Sequence, residues 1–159
     1  MRYALAATLL LALAACGFQL RGSASFPFET IYLPGTTGGI ALDLKRTIQS
    51  GTSTRVLDSP KDAQAVLEFT AEAREKEILS LTRAGRVREY RLRYRVGFRV
   101  HDGKGRQYIA PTTLAQVRDI TFGDSVVLAK ESEEQLLYRD MQNDIVQQIM
   151  RQLAAARLQ

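Results

Sequence analysis

The chain changes its hydrophobic period several times, and each change marks an element. Phe28-Glu29-Thr30-Ile31-Tyr32-Leu33 is rich in β-formers and ends at Pro34-Gly35, which predicts a strand with a turn behind it. Thr36 or Thr37 is then placed to cap a helix through Ile40, Leu42, Leu44 and Ile48 that stops near Gly51. Asp58-Ser59-Pro60 marks a loop. Leu67, Phe69, Ala71 and Ala73 alternate with Glu68, Thr70, Glu72 and Arg74, the signature of a half-buried strand. The alternation loosens from Lys76 to Leu81, where a bulge is expected, and Arg83-Ala84-Gly85-Arg86 can turn the chain back. The strongest alternation follows: Tyr90, Leu92, Tyr94, Val96, Phe98 and Val100 on one face, Arg91, Arg93, Arg95, Gly97, Arg99 and His101 on the other. Asp102-Gly103-Lys104-Gly105 is a hairpin signal. A third long strand is expected from Tyr108 to Val117 or Ile120, with Pro111 placing it at an edge or a bulge.

From Val127 the period becomes helical, with Leu137, Met141, Ile145, Ile149 and Leu153 at every fourth position. Glu131, Glu133 and Glu134 near its start and Arg151 and Arg157 near its end suit the helix dipole. Strand, helix, three long antiparallel strands and a long helix make an α+β two-layer sandwich: two helices on one face of a four-stranded, mainly antiparallel sheet. A length of 159 residues fits one domain, here residues 27–159, with a core large enough to need no staple. One Cys excludes an internal disulfide, and one Cys with one His excludes a Cys/His zinc cage. No metal and no cofactor is expected.

The N-terminus adds an address. Met1-Arg2-Tyr3 followed by the apolar run Ala4–Leu13 fits a secretory signal and is too short to span a bilayer. Leu13-Ala14-Ala15-Cys16 looks like a bacterial lipobox, and Cys16, at the residue after the cut, is the only thiol. Residues 1–15 are therefore read as a lipoprotein signal peptide, Cys16 as the lipidated residue, and 16–26 as a tether. Gly17 in place of Asp resembles lipoproteins sorted to the outer membrane, held on its periplasmic side. Two or three acyl chains anchor firmly where one would not.

Catalytic readings find little support. His101 stands alone at a strand end, and no G-x-S-x-G elbow accompanies it. Gly103-Lys104-Gly105 does not match a phosphate-binding loop. Glu133-Glu134 and Glu75/Glu77 offer paired carboxylates, but nothing nearby argues for the raised pKa of a general acid.

Charge is more telling. Between Arg83 and Arg106 nine basic residues (83, 86, 88, 91, 93, 95, 99, 104 and 106) stand against Glu89 and Asp102, a local +7 in a chain of net +5. Arg91, Arg93, Arg95 and Arg99 share a face, and like charges in a row call for acidic neighbours or an anionic partner. Glu68, Glu72 and Glu75 on the preceding strand could pair with some of them. Nucleic acid is not expected at an exported, lipid-anchored protein; phosphorylated lipid head groups are the anions at hand.

Three stretches resemble the LPS-assembly lipoprotein family, LptE: Cys16-Gly17-Phe18-Gln19-Leu20-Arg21-Gly22, like its CGFxLRG opening; Glu89-Tyr90-Arg91-Leu92-Arg93-Tyr94, like its E-Y-x-L-x-Y strand; and Leu128-Ala129-Lys130-Glu131-Ser132-Glu133-Glu134 with Leu137-Tyr138-Arg139-Asp140-Met141, like its last helix. The resemblance implies a non-enzymatic role: plugging the LPS-assembly β-barrel LptD, helping it fold, and binding lipopolysaccharide on its way to the outer leaflet. Arg91, Arg93, Arg95, Arg99 and Lys130 are then the expected lipopolysaccharide contacts, Arg being suited to phosphate. A free-standing periplasmic lipid carrier is the alternative, and it would need a deep apolar pocket. An enzyme acting on envelope polymers, using Glu133, Glu134 and His101, is the third reading.

Overall fold

The computed structural model describes residues 25–35, 37–122 and 127–157. The expected signal peptide, Cys16, most of the expected tether, Thr36 and residues 123–126 lie outside them. Among the described residues the elements run β1 (Thr30–Tyr32), α1 (Gly39–Gly51), β2 (Arg55–Leu57), a 3-10 turn (Pro60–Asp62), β3 (Ala65–Leu81), β4 (Val87–His101), β5 (Gln107–Thr121) and α2 (Val127–Ala155).

The architecture is α+β, with two helices against one mixed sheet, mostly antiparallel. Its described strands number five rather than the expected four, in the order β2-β1-β3-β4-β5. The added strand is Arg55-Val56-Leu57, too short to show a period. It lies parallel to β1 because α1 carries the chain back between them, as a crossover helix must. β1 is also parallel to β3, through Ile31 and Tyr32, and among the described residues β3 has no neighbour on that side beyond Val66. β3, β4 and β5 form a long antiparallel meander.

The helices follow from their apolar stripes. Ile40, Leu44 and Ile48 of α1 and Met141, Ile145, Ile149 and Leu153 of α2 are buried against Leu67, Leu92, Tyr94, Val96, Phe98 and Val100 of the sheet. Leu42 is only half-buried, off the stripe. Two terminal signals act differently from expectation. Gly38, not a threonine, occupies the N-cap of α1, and no side chain caps it. The first turn of α2 holds no acid and the last turn no base, so dipole compensation is slight there. Glu133 and Glu134 instead pair with Lys130 and with Lys76 of β3, at 2.7 and 2.6 Å.

The phase of β3 departs from the simple alternation. Pairing with β4 shifts between Phe69 and Ala71, so Thr70 is an inserted bulge residue, and again around Ile78–Leu81, where irregularity was expected. Beyond Thr70, Ala71 and Ala73 face away from the helices, opposite Gly97 and Arg95. Glu72, Arg74 and Lys76 lie opposite Val96, Tyr94 and Leu92 on the helix side. The cause is electrostatic and steric together. Unshifted pairing would set Arg74 against Arg93 and Lys76 against Arg91, with Glu75 and Glu77 on the apolar face. With the shift, Glu75 meets Arg93 and Glu77 meets Arg91. Gly97 accommodates the bulge: a Cβ there would lie 2.6 Å from Thr70 Oγ1. Pro111 sits on the edge strand β5, inside the irregularity where Phe98 and Val100 pair with Thr112 and Ile109.

Candidate functional site: the charged outer face and the polar seam beneath it

β4 keeps its alternation unbroken, so all of its odd-numbered arginines from 91 to 99 reach the outer face, away from the helices. There the register decides their partners. Arg91 makes a bidentate pair with Asp119 of β5, Nε to Oδ1 at 2.9 Å and Nη2 to Oδ2 at 3.0 Å. Arg93 lies between Glu75 and Glu77, at 3.7 and 3.6 Å. Arg95 donates to Glu75. Arg99 donates to Glu68, Nη2 to Oε2 at 2.6 Å and Nε to Oε2 at 2.7 Å. The result is a ladder of four guanidiniums and four carboxylates. Glu72, expected among the partners, is turned by the bulge to the other face.

These pairs are half-exposed and weak individually. Their electrostatics run one way. Arg91 holds the Asp119 carboxyl below its ordinary value, and Arg99, then His101, do the same for Glu68. Lys130, the remaining expected contact, sits on α2, away from the ladder, and pairs with Glu133.

Positive charge without a counter-charge gathers at one end of the ladder. Arg83 and Arg88, on and beside the β3–β4 turn, make no ion pair among the described residues, and Ile78, Leu79 and Leu81 beside them are exposed. Sequence reasoning counted these arginines without separating them from the compensated ones. The separating signal was available only through register.

The opposite end closes tightly. Asp102 Oδ1 accepts the N–H groups of Lys104 and Arg106 at 2.8 and 3.1 Å, with Gly103 and Gly105 at positive φ to make the turn. These backbone bonds hold the Asp102 carboxyl below its ordinary range. His101 is a structural member of this end. Its Nδ1 accepts the Gly103 N–H at 3.0 Å, and its Nε2 lies 3.3 Å from Glu68 Oε1. A cleft of about 550 Å³ opens beside it, floored by Tyr32, Val66, Glu68 and His101 and rimmed by Lys61, Asp102 and Lys104. Charge at the rim and exposure to solvent distinguish it from a pocket for acyl chains.

A polar seam joins the helices to the sheet. Gln142 of α2 accepts from Arg74 at 2.9 Å and donates to Asp43 of α1 at 2.6 Å. Tyr94, fully buried, donates to Glu72 at 2.7 Å, and burial followed by that carboxylate pushes its phenol well above the ordinary range. The guanidinium of Arg74 stands over the rings of Tyr94 and Tyr138, at 5.1 and 5.4 Å, while the ammonium of Lys76 stands over Tyr90, at 4.3 Å. Tyr138 also donates to the Glu75 carbonyl at 2.8 Å. The cations that β3 turns toward the helices are thus part of the packing.

A two-layer domain whose outer face is a ladder of paired charges presents an extended polar surface, the kind of face that structural and binding proteins use. The comparisons narrow that class. The family model for lipopolysaccharide-assembly LptE matches residues 25–153, and the chain belongs to this family of non-enzymatic lipoproteins. It is similar to the LPS-assembly lipoprotein LptE of Yersinia pestis (strain Pestoides F), at 29% identity over 92% of this chain and 74% of that protein. Among solved structures it resembles lipoprotein B of Nitrosomonas europaea, with TM-score 0.75 and 39% identity over 87% of this chain and 91% of that one. The rare lipoprotein B of Shewanella oneidensis is also similar, with TM-score 0.65 and 25% identity over 79% and 94% of the two chains. A role in lipopolysaccharide assembly follows from family membership.

Proposed function

We propose that this protein seats in the lumen of the outer-membrane LPS-assembly barrel LptD, assists its folding, and meets lipopolysaccharide as it passes toward the outer leaflet, held at the membrane by acyl chains on Cys16. The observation that carries the reading is the outer face of β3, β4 and β5. It is a ladder of compensated charge on strands of 15 to 17 residues, roughly 50 Å long. Barrel interiors are polar and wet, and a surface of paired charges suits them where an apolar one would not. The cleft beside His101, open to solvent and bordered by Lys61, Asp102 and Lys104, encloses less than a free-standing lipid carrier would need.

For lipopolysaccharide, Arg91, Arg93, Arg95, Arg99 and Lys130 are the proposed contacts, and binding there exchanges a carboxylate for a phosphate. Arg83 and Arg88 extend this set at an end that requires no exchange, beside the exposed apolar Ile78, Leu79 and Leu81. Cation beside hydrocarbon matches the junction of phosphate and acyl chain in lipid A.

The test is co-purification. The full-length tagged chain, expressed in a Gram-negative host and extracted from the outer membrane in mild detergent, is expected to bring down a large β-barrel in equal amount. A solitary lipoprotein would refute the plug. For the lipid, R83E/R88E and R91E/R93E are compared for lipopolysaccharide binding. Both are expected to weaken it, the first more at low salt because among the described residues its cations form no ion pair. Unchanged binding in both would remove the arginines from the site.

A further inference from the structure

The chain leaves the domain toward Cys16 at the end of the sheet where the β4–β5 turn meets the 3-10 turn. Phe26 packs on Phe28, with 5.5 Å between ring centroids, and Phe28 packs on Tyr108 at the start of β5, at 5.2 Å. Cys16 is ten positions before Phe26, so it stands at most about 35 Å away from it. The Arg83–Arg88 turn lies at the other end of strands roughly 50 Å long. Between the two turns near Phe26 runs a trough. The cleft beside His101, about 550 Å³, and a second of about 350 Å³ that reaches Gln64 and Tyr108 share Lys61, Ala63, Asp102 and Lys104 in their walls. Both lysines ride on turns that side chains tie down: Lys61 donates its N–H to Ser59 Oγ at 3.3 Å, and Lys104 donates its own to Asp102 Oδ1 at 2.8 Å. Two of the three acids in the walls are taken up within the chain, Asp102 by Arg106 at 3.0 Å and Glu68 by Arg99 and His101 at 2.6 and 3.3 Å. That leaves Asp62 against Lys61 and Lys104, neither of whose ammonium groups makes an ion pair among the described residues.

We infer that this trough seats the head group of an anionic phospholipid from the leaflet that carries the anchor, its phosphate held by Lys61 and Lys104. The inference rests on acylation of Cys16. Reach and charge select the occupant. A short tether keeps the leaflet at high effective concentration at this end of the domain, and lysines close to an anionic surface are attracted to it. An ammonium is a compact charge on a flexible stem and meets a phosphate without a fixed geometry, whereas the guanidiniums of the ladder are already committed to carboxylates. Tyr32, Pro34, Pro60 and Val66 give the trough an apolar wall for the glycerol of the lipid. The opening is too shallow for acyl chains, which stay in the leaflet while the head group enters.

The experiment uses the full-length chain, processed and acylated in a Gram-negative host. It is reconstituted in nanodiscs of phosphatidylcholine, alone or with phosphatidylglycerol added, each with a trace of lipid bearing a nitroxide on its head group. His101 is the chain's one histidine and lines the trough, so isotope labelling of histidine gives a single nuclear magnetic resonance signal there. The expected result is a signal broadened by the nitroxide when phosphatidylglycerol is present and sharp when it is absent. K61Q/K104Q, both at exposed positions, is expected to keep its melting curve and to weaken the contact about fivefold per lysine. Raised salt is expected to weaken it too. R139Q, which removes an exposed cation of α2 outside the trough, is expected to leave it unaltered. Equal signals in the two kinds of disc overturn the inference, as does broadening that survives K61Q/K104Q or that R139Q removes equally. Broadening produced by lipopolysaccharide in the disc and not by phosphatidylglycerol assigns the trough to lipopolysaccharide and overturns it as well. An intact mass without acyl groups on Cys16 instead refutes the anchor reading, and the head-group proposal falls with it.

Discussion

The two faces of β4 are built from one strand with one alternation, yet they hold the molecule in different ways. On the helix side Leu92, Tyr94, Val96, Phe98 and Val100 are fully buried among both helices. On the other side Arg91, Arg93, Arg95 and Arg99 stand in half-exposed ion pairs. Apolar burial is non-directional and large, on the order of 25 cal/mol per Å². Exposed ion pairs are directional and small. The inner row thus supplies stability, and the outer row supplies a surface with a defined charge pattern at little energetic consequence.

The comparison can be broken most strongly from the inside. Phe98→Ala is expected to cost about 3–5 kcal/mol, read by urea unfolding of the soluble domain. A cost below about 1 kcal/mol would mean that the core is not organised on this strand. Gly97→Val, which sits where the two rows meet the bulge, is expected to cost about 1–3 kcal/mol through overpacking. The gentler Gly97→Ala is expected to cost less, and its cost should shrink when combined with Thr70→Ala, because the 2.6 Å neighbour of the new Cβ is the Thr70 hydroxyl. Additive costs would sink that explanation. Gln142→Ala removes the amide shared by Arg74 and Asp43 and is expected to cost about 1–2 kcal/mol.

The outer row is probed by pH and gives the smallest effects. Asp119 and Glu68 are held below their ordinary values of 3.8 and 4.5. A depressed folded-state value means that the unfolded chain binds the proton first as pH falls. Their contribution is complete above those ordinary values and disappears as pH drops through the lowered ones. Asp119→Asn should therefore melt slightly below the unsubstituted protein at neutral pH and low salt, the difference closing as the pH falls from the ordinary carboxylate value through the lowered one and in high salt. A difference that persists in acid would place the role of Asp119 outside its charge.

What the sequence discloses follows the same division. β4 was legible from Glu89 to His101 because no inserted residue interrupts it there, and α2 because Met141, Ile145, Ile149 and Leu153 repeat over several turns. β2 was not, since three residues carry no period. The arginine stripe was visible, but its compensation was not: pairing depends on which residue stands opposite, and that depends on Thr70. Of the expected partners Glu68, Glu72 and Glu75, the structure uses Glu68 and Glu75, turns Glu72 to the other face, and adds Glu77 and Asp119. The polar seam was hidden for the same reason, because Arg74 and Lys76 read as solvent-facing until the shift turns them toward Tyr94 and Tyr90.

Thr70 works on the strand as a single inserted letter works on a reading frame. Upstream of it even-numbered Glu68 belongs to the outer message; downstream the odd-numbered Glu75 and Glu77 do. Arg74, Glu75, Lys76 and Glu77, read without the insertion, would oppose cation to cation and bury carboxylates. A substitution in β3 is thus read by its parity relative to residue 70 as far as Ile78, where the register shifts again: even positions face outward up to Phe69 and odd positions do from Ala71 to Glu77.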